Sequence, residues 1–268
     1  MSQGRTADRG AADRAAVWAA ARANDIDHYL AALLAPRAAR ADLVALAAFV
    51  GEIDRIPLLV HDPLLAEIRL HWWREHLESL APGTRSGNPI ADGMAEVVLR
   101  RGLDPTRLMA IVDAGSMLVE QDGIATPARL AAFLDAREGS AMRLAASILG
   151  AEGGDWSDGL DAAARAYGLV RLLLDFPAHR ERGRALAAAD AEATATLAGD
   201  VRRHLGFARR ALTGAPREIV IAALPAALVE PYLRVLEKSP RAPTHAQRRD
   251  IRPLTRAWRL WRARRRGI

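Results

Sequence analysis

The sequence offers chemistry at three places. The first is the C-terminal segment RPLTRAWRLWRARRRG. At helical spacing Leu254, Trp258 and Trp261 fall along one side, and Arg252, Arg256, Arg259, Arg262 and the closing triple of arginines surround them. That composition suits a helix lying in the headgroup layer of an anionic membrane, with Trp258, Trp261, Arg262 and Arg265 as membrane or partner surface. The alternative is a solvated basic tail whose tryptophans dock on the body. The second place is Pro177-Ala178-His179. Imidazole suits zinc and copper better than magnesium, and no second histidine stands three or four residues away. A structural, loop-capping His179 is therefore expected. The third place is Asp54. Its nearest acid, Glu52, lies about 200° around a helix from it, so the two do not share a face.

Composition limits the rest. The 268 residues suit one large domain or two small ones, and half of them are apolar, which is enough for a sizeable core. Alanine and leucine dominate over β-branched and aromatic residues, which favours helix over strand. With no cysteine, disulfides and thiolate metal sites are excluded. No apolar run reaches the length of a membrane-spanning helix. The net charge is +6, but nine arginines against one aspartate after Ala246 concentrate it in the last helix. The body is close to neutral, so nucleic acid is an unlikely partner.

Apolar residues recur every three or four positions along most of the chain. An arm over 1–14 is expected to be disordered, lacking the apolar stretch of a secretory signal. A single all-helical domain should fill 15–268. Its expected helices cover 12–34, 40–56 (ending at Pro57), 63–80, 89–101, 105–121, 127–149 (with a break at Gly139), 155–175, 192–212, 216–237 and 246–266. Asp62-Pro63, Asp104-Pro105 and Thr126-Pro127 read as N-caps followed by proline at the first helical position. Trp72 and Trp73 read as one core ring beside one half-exposed ring, with His71 and His76 at or near the surface.

Several short motifs stand in order along this frame. They are Asp27-His28-Tyr29-Leu30, Ala48-Phe49, Trp72-Trp73-Arg74-Glu75 with Leu77, GSAMRLAASILG from Gly139 to Gly150, Gly168 to Arg184, Ala222-Ala223-Leu224-Pro225-Ala226 and Tyr232-Leu233. In this order and spacing the chain resembles the squalene/phytoene synthase family over nearly its whole length. The resemblance implies an all-α, single-domain isoprenoid-synthase-type bundle around a central cavity. The helices over 40–56, 63–80, 127–149, 155–175 and 192–212 would surround it, with Asp54 and Asp175 near one mouth. Active members condense two prenyl diphosphates head to head. Two Asp-rich motifs face each other there and hold Mg²⁺, which takes hard oxygen ligands and neutralises the leaving diphosphate.

Here the motifs are eroded. Asp54 matches the leading Asp of the first, Arg55 replaces an acid and Leu58 replaces the trailing Asp. In the second, Arg171, Asp175 and His179 fall on the Asn, Asp and Asp positions, and Arg182-Gly183-Arg184 survives after them. By resemblance Arg171, Arg182 and Arg184 would face a diphosphate if any ligand binds, and Asp54 and Asp175 would be metal ligands only if Mg²⁺ binds. No cofactor is expected otherwise. Without metal, Asp54 would pair with Arg171, and Asp175 with Arg55 or Arg182, because an unpaired carboxylate in a cavity costs several kcal/mol. The alternative is that both are ordinary helix-end acids.

The stretch Glu67 to Glu75 and the Pro-x-His at 177–179 are most similar to the non-synthase branch of that family. The branch includes the mitochondrial complex I assembly factor and its bacterial relatives. It implies a non-catalytic assembly or maturation factor, with a respiratory-complex subunit or assembly intermediate as partner. A cytoplasmic protein is expected, peripheral on the inner face of the membrane if its C-terminal helix docks there. The other readings are a magnesium-dependent farnesyl or geranylgeranyl diphosphate transferase, and a helical protein holding an isoprenoid or lipid ligand.

Overall fold

The computed structural model describes residues 2–151, 154–184, 191–238 and 250–268. Every regular element among them is a helix. The chain opens with α1 (Ser2–Asn24), α2 (Ile26–Leu33) and α3 (Arg37–Leu59). The helix expected over 12–34 is therefore two. Asp25 divides it, with φ −142° and ψ 73°, and its carboxylate accepts from the His28 amide. An Asx oxygen competes with the helical ladder in this way, which is why aspartate favours caps. α1 also runs back to Ser2, through the stretch expected as an arm.

Four helices begin alike: α4 (Pro63–Glu78), α5 (Pro89–Arg101), α6 (Pro105–Met117) and α7 (Pro127–Leu134). Asp62, Asn88, Asp104 and Thr126 each precede a proline and accept from a first-turn amide: Leu64, Ile90, Thr106 and Arg129. Each cap contributes about 1 kcal/mol. The expected break at Gly139 is a single wide π-helical turn over Asp135–Gly139, leading into α8 (Ser140–Ile148). The long α9 (Ser157–Glu181) follows, then α10 (Ala191–Ala211) and α11 (Arg217–Ala222). A 3₁₀ segment at Leu224–Leu228 joins α11 to α12 (Val229–Lys238), so the helix expected over 216–237 is interrupted at Pro225. The last helix is α13 (Pro253–Arg266); residues 246–249 of its expected span lie outside the described residues.

Two prolines do not stop their helices. α3 continues past Pro57 to Leu59 and α9 past Pro177 to Glu181. Each proline forfeits one amide donor and crowds the preceding turn. Both lie within the last turns, where little ladder remains to be broken. Burial of Ile53, Ile56 and Pro57 holds α3 in line.

α3 is the central helix, buried without a gap from Asp42 to Gly51 and packed against α1, α2, α4, α5, α6, α8 and α9. Two glycines allow the closest approaches. A Cβ on Gly51 would lie 2.8 Å from the Asn24 Cβ, so α1 crosses α3 at backbone distance. A Cβ on Gly168 would lie 3.1 Å from Leu134 and 3.2 Å from Glu138, so α9 lies directly on the π turn. These contacts bring α1, α3, α9 and the π turn to one place.

Candidate functional site

That place is a cavity of about 330 Å³. Its walls come from the end of α1, the last turns of α3, Leu118 after α6, Phe133 of α7, Arg137 of the π turn, and Tyr167 to His179 of α9. Asp54 and Asp175 both line it, with Leu58, Arg171 and His179. The two eroded motifs therefore meet across one space. α4 and α10 contribute no lining residue, unlike the expected set; the end of α1 and Leu118 after α6 stand in their stead. A larger groove of about 640 Å³, between α7, α9 and α10, contains neither aspartate.

The charges inside are arranged differently from the expected pairs. Asp54 is held by Arg137, whose Nε donates to Oδ1 at 3.1 Å and whose Nη2 donates to Oδ2. The other face of Arg137 meets Glu138, which is fully buried. His28 Nε2 lies 2.9 Å from Glu138 Oε1, and His28 Nδ1 lies 2.8 Å from Asp25. A chain of alternating acidic and basic side chains thus runs Asp54, Arg137, Glu138, His28, Asp25. The wide turn makes it possible: an extra residue per turn lets consecutive Arg137 and Glu138 both reach inward. Burial alone would raise the Asp25 carboxyl, but the charge and hydrogen bond of His28, with Arg137 behind it, hold it at about 2. Arg55 turns instead to Glu52 at 3.0 Å.

Arg171 is engaged elsewhere. Its guanidinium sits 5.0 Å from the centre of the Tyr232 ring and 4.0 Å from Asp27. Asp27 is the second hub. Its carboxylate accepts from Tyr167 Oη at 2.8 Å, from Tyr232 Oη at 2.7 Å and from Arg256 Nε at 2.6 Å, all buried. Arg256 belongs to α13, so this hub fastens the last helix to α2 and α9. Burial and the Asp27 charge both push the two tyrosine hydroxyls up, so they remain donors.

Asp175 is an electrostatic neighbour of Arg171 and His179. His179 is buried in the last turn of α9. The expected loop-capping is done by its backbone carbonyl, which accepts from the amides of Arg182 and Arg184 at 3.1 Å. Its ring lines the cavity, and burial lowers its pKa. Arg182 donates to the Ala178 carbonyl at 2.7 Å. Arg184 is buried, with long contacts to the Val119 and Val60 carbonyls. His179 Nδ1, Arg182 Nε and Arg184 Nε are buried nitrogens without a hydrogen-bond partner.

Magnesium does not fit this donor set. Both oxygens of Asp54 are taken by Arg137, Leu58 offers no ligand and His179 offers a nitrogen where an oxygen is wanted. Among the described residues no group of three or more acids or histidines is placed to hold a metal ion.

A family model described as squalene/phytoene synthase matches residues 21–259, which is most of the chain. The chain belongs to the squalene/phytoene synthase family. Among solved structures it is similar to squalene synthase HpnC from Alicyclobacillus acidocaldarius, with TM-score 0.70 at 15% identity, covering 88% of this chain and 97% of that one. It is also similar to a dehydrosqualene synthase solved with a ligand, with TM-score 0.75 at 13% identity, covering 95% and 96%. At such identities the likeness shows the shared fold. Curated relatives carry another name. NADH dehydrogenase (ubiquinone) complex I, assembly factor 6 from Homo sapiens is 25% identical over 161 residues, covering 60% of this chain and 48% of that protein. The Rattus norvegicus protein of that name is 21% identical over 267 residues, covering 91% and 80%. The chain spans about half the length of the human and bovine relatives that it matches.

In this family member, Arg137, Glu138 and the role of Asp27 were missed by reasoning from the sequence. The signals were present. Charged residues stand beside Gly139 inside an apolar helix, and Asp27 opens an otherwise apolar stretch. The tryptophan pair is as expected: Trp73 is buried, Trp72 is half-exposed and stacks on His76 with an interplanar angle of 5°. His71 is exposed. On α13, Trp258 and Trp261 are exposed, while the helix docks through Arg256, Leu260 and Ala263.

Proposed function

We propose that this protein is a non-catalytic squalene/phytoene synthase-fold protein that serves the assembly or maturation of a membrane respiratory complex of the complex I type. The observation that carries the first half is the Arg137 clamp on Asp54. Ionising an allylic diphosphate needs concentrated positive charge on the leaving oxygens. The carboxylate that would recruit a metal for that purpose is instead neutralised from within, and its partners at 58 and 179 are not acids. The second half is supported by the name that the curated relatives carry, and that role belongs to those proteins directly. On this reading the chain works at the cytoplasmic side of the membrane that holds the complex.

The test has two arms. Purified protein incubated with Mg²⁺ and farnesyl or geranylgeranyl diphosphate should release no diphosphate above background. Turnover that disappears in Asp54→Ala and in Asp175→Ala would make it a prenyl diphosphate transferase instead. In the source cells, deleting the gene should lower the amount of fully assembled NADH dehydrogenase on native gels, and Asp54→Ala should restore it. An unchanged complex would remove the assembly role.

A second reading has its own observation. The cavity combines apolar walls at Leu58, Leu59, Leu118, Phe133 and Leu172 with the unpartnered nitrogen of His179 and the unpartnered Nε donors of Arg182 and Arg184 beside it. That suits an isoprenoid or other lipid with an anionic head, bound without metal. Calorimetry with farnesyl diphosphate in the presence of a chelator distinguishes it: heat that vanishes in Arg184→Gln supports the ligand, and none refutes it.

A further inference from the structure

We propose that the outer face of α13, with the arginines beside it at the starts of α3 and α11, docks on an anionic phospholipid bilayer. This surface is independent of the assembly reading.

The helix has two unlike sides. Arg256, Leu260 and Ala263 seat it on the 3₁₀ segment, α11 and α2. The opposite side exposes Leu254 (86%), Trp258 (50%) and Trp261 (45%). Guanidinium groups cover the outer rings. Arg262 lies 5.3 Å from the Trp258 centroid and Arg265 lies 4.3 Å from that of Trp261. An indole with a cation on its face, held at a helix surface, presents both components of headgroup-layer binding at one depth.

The surrounding charge is uncompensated. Arg264 feels Arg217 of α11, Arg40 of α3 and Arg265, and burial with these cations lowers its pKa. Its buried Nε has no hydrogen-bond partner. Among the described residues Arg40, Arg217, Arg262, Arg264, Arg265 and Arg266 enter no ion pair. Arginines elsewhere do find acids: Arg100 and Arg101 on Asp42, Arg165 on Asp135, Arg209 on Glu230. Two of the six, Arg40 and Arg217, also stand near helix starts, where a cation opposes the macrodipole. So many like charges gathered without a counter-charge call for an external anion. The exposed leucine and tryptophans select a lipid surface over a phosphate backbone, because they add apolar area that only the acyl boundary removes from water.

The experiment is co-sedimentation of the full chain with vesicles of phosphatidylcholine, with or without phosphatidylglycerol, over a salt series. The full chain should bind the phosphatidylglycerol vesicles in low salt, at least tenfold better than neutral ones, and detach as salt rises. W258A with W261A, and separately R262E with R265E, should each weaken binding at least tenfold while the thermal melt stays put. L254S, at the most exposed position and outside the side that seats α13 on the body, should weaken it severalfold and guards against misfolding of the double variants. Equal binding to neutral and anionic vesicles, or wild-type binding by all three variants, overturns the proposal. So does a single-stranded RNA oligomer that binds more tightly than the vesicles at the same salt.

Discussion

The Asp27 hub sets a demanding test of how this bundle is held together. Asp27→Asn keeps the shape of the side chain and removes its charge. In the protein that charge faces Arg256 Nε at 2.6 Å, with both side chains almost wholly out of water. Breaking a buried pair by neutralising one member costs about 3–5 kcal/mol, because the other charge stays buried. Tyr167 and Tyr232 can still donate to the amide oxygen, so their hydrogen bonds add little to the loss. Asp250, half-exposed, also meets Arg256 and recovers part of it. A net loss of about 2–4 kcal/mol is expected. Urea denaturation followed by circular dichroism measures it. Replacing both partners, Asp27→Asn with Arg256→Met, should be less destabilised than the sum of the two single changes by at least about 1 kcal/mol. A single variant within about 0.5 kcal/mol of wild type, or strict additivity in the double variant, would refute the assignment of Asp27 as the counter-charge that seats α13.

Two further outcomes follow from the site. His179 has a folded pKa lowered by burial, with Asp175, Arg182, Arg184 and Asp54 around it. The unfolded state therefore takes up the proton first, so stability is full above the ordinary imidazole value near 6.5 and falls as pH drops below it. Denaturation midpoints measured from pH 8 to 5 should fall for wild type and fall less for His179→Asn; parallel curves would refute this. Gly51→Ala places a Cβ 2.8 Å from the Asn24 Cβ, which neither backbone can easily yield. It should lower stability by about 1–3 kcal/mol, read from thermal melts, and an unchanged melt would show that α1 is free to shift.

Much of the scaffold was legible because its signals are local. The Asp-Pro and Thr-Pro starts of α4, α6 and α7 each fix a helix end within a few residues, and each stands where the sequence put it. Helix breaks decided by tertiary packing were not legible. Pro57 and Pro177 look like stops in sequence, yet burial carries both helices through them. Asp25 looks like one more acid in a helical run, yet its own side chain caps the next helix. The positions of Asp54 and Asp175 across one cavity were legible through the resemblance; their partners were not. Which arginine reaches Asp54 depends on a π turn whose Arg137 stands 83 residues away, and no local pattern announces where a turn gains its extra residue.

The bond between Asp27 and Arg256 spans 229 positions of chain. During synthesis the aspartate leaves the ribosome long before its arginine exists. At ordinary elongation rates that interval is roughly ten to fifty seconds. Tyr167 and Arg171 arrive part-way through it and Tyr232 near its end, so the carboxylate gathers its partners one after another. The set around Asp27 is therefore complete only once Arg256 has been released. A chain cut short before α13 would keep Asp27 buried with only Arg171, 4.0 Å away, as a counter-charge, and would lose the shorter pair to Arg256.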